Sequence, residues 1–124
     1  MPVRPTIPNR GPMNEFVGPF DVSSKLTDDV YRVRFSHLWN GIATRHSDTV
    51  DTKFFVNGRG VIVALAHTGL VRFAAAAGRY LSDREASFLA AEFLRARLQE
   101  DDERPLYHAS ADEVLGLIEK LGIG

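Results

Sequence analysis

His46, Ser47 and Asp48, with Asp51 close by, form the densest cluster of chemically capable side chains in the chain. A serine triad needs members delivered from separate elements, and neighbours along an extended chain point to alternating faces, so no triad assembles locally. His46 and Asp48 share one side of an extended segment and offer two metal ligands. No third ligand accompanies them, and a polar turn explains the same residue types. His67 stands where a strand hands over to a helix, a place from which a side chain reaches a pocket or bonds at the layer edge. Cysteine is absent, which excludes disulfides, a thiol nucleophile and thiolate zinc sites. No catalytic residue, metal site or cofactor is therefore assigned.

Gly58-Arg59-Gly60 begins like a dinucleotide fingerprint, but Val63 replaces the third glycine and the segment beyond reads as strand. No helix start would face a phosphate there, so a turn is expected. The stronger binding signal is charge. Residues 1–79 hold ten basic and six acidic side chains, whereas residues 80–124 hold five basic and ten acidic. If residues 31–39 are extended, Arg32 and Arg34 share one face that Arg45, Lys53 and Arg59 extend. Arg32, Arg34, Arg59 and His67 are the candidate ligand-binding residues. No aromatic stacking motif interleaves the basic side chains, and in the strand reading His37 lies beside Trp39 on the inner face.

The elements that would position these residues centre on a β-hairpin over about 52–66. Phe54, Phe55 and Val56 precede the Asn57-Gly58 turn, and Val61, Ile62, Val63 and Leu65 follow it. Thr68 is expected to cap a helix over 69–77 that ends before Gly78. Two capping boxes, Ser82 with Glu85 and Ser110 with Glu113, open helices over 83–99 and 111–121, and both carry apolar stripes at helical spacing. Residues 28–42 read either as a helix or as a strand that lengthens the sheet into a meander over 30–50. A helix puts Val33 on a polar side, whereas alternation from Tyr31 leaves only Leu38 misplaced, which favours the strand.

Five of the six prolines lie before residue 20, so 1–23 is expected to be a mobile tail and 24–124 one domain. The expected class is α+β, a small antiparallel sheet under about three helices. The chain has 124 residues, a net charge of -1, no apolar run of membrane length and no signal-peptide core, which points to a cytoplasmic protein without a membrane partner. A non-catalytic interaction or oligomerising module is the leading expectation. It is pictured as a homodimer through the hairpin edge or the stripe from Ala86 to Leu98. A nucleic-acid or anion binder using the arginine face comes second, and a small enzyme around His67 third.

Overall fold

Asn57 and Gly58 adopt φ of 51° and 85°, the paired positive values that a two-residue hairpin turn demands. The computed structural model describes residues 16–41 and 49–123. In chain order the elements are β1 (Phe20–Ser23), β2 (Val30–Gly41), β3 (Thr49–Val56), β4 (Arg59–Ala66), α1 (His67–Ala77), α2 (Asp83–Gln99), β5 (Leu106–Ala109) and α3 (Ala111–Leu121). The strands form one sheet in the order β1-β2-β3-β4-β5. The fold is α+β, but the sheet is mixed: β5 lies parallel to β4 because α1 and α2 carry the chain back before β5 begins. The central hairpin is longer than expected, spanning 49–66.

Within residues 28–42 the chain is strand over Val30–Gly41, of which Val33 to Gly41 pair with β3. The boundary expected after residue 23 moves. Phe20 and Val22 of β1 are buried, and the Val17 N–H donates to Ser87 Oγ at 3.1 Å, so 16–23 belongs to the folded domain. Residues 1–15 of the expected tail, together with Arg45 and the His46 to Asp48 cluster, lie outside the described residues.

Both capping boxes close as expected, the Ser82 and Ser110 hydroxyls accepting from the N–H groups of Glu85 and Glu113. α1 starts at His67 rather than Gly69, and its first residue follows Ala66 without a side-chain cap, so Thr68 does not play that part. Gly69 is needed for packing: a Cβ there would lie 2.9 Å from Val114 Cβ and 3.1 Å from the Ala111 backbone. α1 and α3 therefore touch almost backbone to backbone.

α2 is buried continuously from Ala86 to Leu94, wider than one helix face. The sheet and α3 cover part of it, and the strand-leading segment at Val17 covers the Ser87 side. Phe88 joins the core as well. Both surfaces expected to drive dimerisation are thus occupied within the chain: the hairpin edges by β2 and β5, and the α2 stripe by the core.

A candidate anion-binding sheet face

Strand alternation sends Val50, Thr52, Phe54 and Val56 of β3 into the core and leaves Thr49, Asp51, Lys53 and Phe55 on the opposite face. Val61, Val63 and Leu65 of β4 follow the inner set, as do Tyr31 and Val33 of β2. The outer face is not covered by any helix among the described residues, so its side chains decide what the sheet presents.

Along β2 the alternation breaks once. Phe35 pairs with Phe54 while His37 pairs with Lys53, which makes Ser36 the extra residue of a β-bulge. The side chains of His37, Leu38 and Trp39 beyond it change parity. Leu38 turns inward opposite Thr52, whereas His37 and Trp39 turn outward opposite Lys53 and Asp51. The inner-face placement expected for His37 and Trp39 is therefore corrected, and so is the expectation that no aromatic residue interleaves the basic side chains. Leu38, the one residue out of place in a regular strand, was the visible sign of the bulge.

The result is a mixed cationic and aromatic surface. The Arg34 guanidinium sits 4.6 Å from the centroid of Phe55, its cross-strand partner, and Lys53 Nζ sits 5.3 Å from the same ring. Gly60 makes room for Lys53: a Cβ at residue 60 would come within 3.2 Å of the lysine stem. His37 and Trp39 stack with ring centroids 5.0 Å apart and planes 29° apart. Trp39 remains 37% exposed. Two carboxylates share the face at its margins, Asp21 opposite Arg32 and Asp51, which accepts from Thr49 Oγ1 at 2.6 Å.

Arg32, Arg34 and Lys53 form no ion pair among the described residues, whereas Arg59, Arg72, Arg79, Arg95, Arg97, Arg104 and Lys120 all do. Arg32 is held in place by its own backbone. Its N–H donates to Asn57 Oδ1 at 2.9 Å and its carbonyl accepts from the Asn57 N–H at 2.9 Å, tying β2 to the hairpin turn. The neighbouring Tyr31 hydroxyl donates to Asp101 Oδ1 at 2.7 Å. That bond, with burial second, pushes the phenol up to about 12 and anchors the start of β2 to the end of α2.

The other two sequence candidates do not join this face. Arg59 leaves the hairpin turn to pair with Glu103 before β5. His67 is exposed at the first turn of α1 and makes no side-chain hydrogen bond among the described residues. A groove of about 640 Å³ between α2 and α3 mixes cations with carboxylates, several of them paired. Arg97, for example, contacts Asp102 at 3.6 Å and Glu113 at 3.2 Å. No group of three or more potential metal ligands occurs among the described residues, and none of their helices is long and apolar enough to cross a membrane. Comparison with family models, curated proteins and solved structures yields no match, so the chemistry of the face itself carries the functional argument.

Proposed function

We propose that this protein binds nucleic acid through the outer face of its sheet. The observation that supports this reading is that the three cations on that face lack carboxylate partners among the described residues, two of them lying over the half-buried Phe55 ring, with the exposed Trp39 on the same face. Phosphates supply the missing counter-charge, and Arg presents a fork that matches them. The net charge of -1 is compatible with this use, because ten of the sixteen acidic side chains lie in residues 80–124, which build α2, β5 and α3. Acidic helices opposite a basic face orient a polyanion toward one side.

Three phosphate contacts to a single strand imply a slope of log affinity against log salt near -2, from about 0.7 per contact. Titration of a labelled oligonucleotide from low to moderate salt should return that slope. The triple variant Arg32→Gln, Arg34→Gln, Lys53→Gln should flatten it while melting within a few degrees of the unmodified protein, since exposed positions each change stability by about 0.5 kcal/mol or less. Absence of measurable binding by the unmodified protein at low salt sinks the reading.

Self-association is a second reading, and a specific observation moves it to a new place. β2 runs twelve residues, but β1 pairs only with Val30 to Val33. Among the described residues no strand pairs with the outer edge of Arg34 to Gly41, and an unpaired edge is a template for another chain. Antiparallel pairing of two such edges would give a two-fold dimer. Sedimentation equilibrium over a hundredfold concentration range tests it, and a constant mass of 13.8 kDa would remove it.

A further inference from the structure

We infer that the ligand of this face is an unpaired nucleic-acid strand whose bases stack on Trp39 and Phe55. This rests on the nucleic-acid reading above and goes beyond it by naming the form of the ligand. A duplex keeps its base faces inside the helix and offers a flat sheet only phosphates and groove edges. Exposed rings gain little from such a partner. An unpaired strand exposes a π-face on every base, and such faces stack on aromatic side chains regardless of sequence.

The register gives the rings a spacing that suits a strand rather than a single small anion. Trp39 lies opposite Asp51, and Phe55 stands four residues further along β3 on the same face. At about 3.3 Å per residue and about 4.8 Å between strands, the backbone positions that carry the two rings are about 14 Å apart. His37 and Lys53, paired opposite each other, lie between them. A cation therefore stands between the two rings, where it can meet a phosphate of a strand whose bases reach both. Trp39 is the more open platform, with one side backed by the His37 ring. Phe55 already carries Arg34 and Lys53, both on flexible side chains, one of which must swing from the ring toward a phosphate when a base arrives. Asp51, beside Trp39, repels phosphate at that end and directs the backbone toward Lys53.

Trp39 is the only tryptophan, so intrinsic fluorescence reports on this platform alone. The unmodified protein is titrated at low salt with three ligands of equal length: a single-stranded oligonucleotide, the same phosphodiester strand without bases, and a duplex. The base-bearing strand should quench Trp39 and bind more tightly than the abasic strand, by about 5- to 150-fold for each stacked base. Trp39→Leu, which keeps apolar bulk but lacks the large ring, should erase the share of one stacked base, about 5- to 150-fold, while preserving the salt slope and the melting temperature. Equal affinity for base-bearing and abasic strands, or preference for the duplex, overturns the stacking inference and leaves the phosphate reading intact. Failure of all three ligands to bind overturns both.

Discussion

Phe54→Ala should lower the unfolding free energy by about 3 to 5 kcal/mol, the usual cost of removing a large aromatic side chain from a closed core. Phe54 has no solvent exposure and sits on the central strand of the five. Its ring meets Phe35 edge to face at a centroid distance of 5.4 Å, and Phe35 in turn stacks on Phe16 at 5.4 Å. Alanine would open a cavity and remove one of the two contacts of this three-ring ladder, which joins β3, β2 and the segment before β1. Such a loss is large against the roughly 5 to 15 kcal/mol of a typical domain. The functional consequence follows from alternation: Lys53 and Phe55 flank Phe54 and point the other way, so loosening this residue disorders the cationic and aromatic face as well. Urea denaturation checks the prediction, with a lower midpoint at an unchanged slope. A cost below about 1 kcal/mol would mean that Phe54 does not occupy the closed core.

The parts of the fold that depend on neighbouring residues were legible before the structure. Asn57-Gly58 specifies its turn because few other pairs tolerate two positive φ values. Ser82 with Glu85, and Ser110 with Glu113, announce helix starts because the two side chains of each pair satisfy donors three residues apart. What depends on distant partners was not legible. β1 is four residues long in a segment whose prolines argue against structure, and it forms because β2 offers it an edge and because Phe20 and Val22 add to the core above α2. The parallel docking of β5 is decided by the length of the α1 and α2 connection, which no local pattern within Leu106 to Ala109 records.

The candidate face was half legible for the same reason. Arg32 and Arg34 follow from simple alternation as candidates, with Lys53 extending their face from the neighbouring strand. Trp39 and His37 were not, because period-two reasoning carries an error of one residue through to the end of a strand. A single unpaired residue, Ser36, separates a packed tryptophan from an exposed one. The clue was present in Leu38, an apolar residue that a regular strand would have left on the polar side. Arg59 failed as a face residue for a different reason: a carboxylate 44 positions away, Glu103, is brought beside it by the β4–β5 pairing.

Removing both cations from Glu92, as Arg95→Met with Lys120→Met, should destabilise the protein at neutral pH by about 3 kcal/mol, because it strands a buried carboxylate. Glu92 is 4% exposed on α2. Arg95 Nε donates to its Oε1 at 3.0 Å, and Lys120 reaches across from α3 to its Oε2 at 2.7 Å. The cost belongs at the lower end of the range for broken buried pairs, since Lys120 is half exposed and screened. Burial pushes the Glu92 carboxyl up, but the bonds from Arg95 and Lys120 outweigh it and hold the group below the usual carboxylate range. A depressed folded value means that the ion pairs stabilise the fold above the unfolded carboxyl's titration near about 4.3, and that this contribution is lost as pH falls below it. In the double variant only burial remains, so the folded value rises above the unfolded one and protonation relieves the penalty as pH falls. The stability gap between the two proteins should therefore narrow steadily from neutral pH toward pH 4, in urea midpoints taken at each pH. Adding Glu92→Leu should restore most of the loss at neutral pH by replacing the stranded charge with apolar bulk. A gap that stays constant with pH, or a triple variant no better than the double, would show that packing between α2 and α3 sets the cost rather than the buried charge.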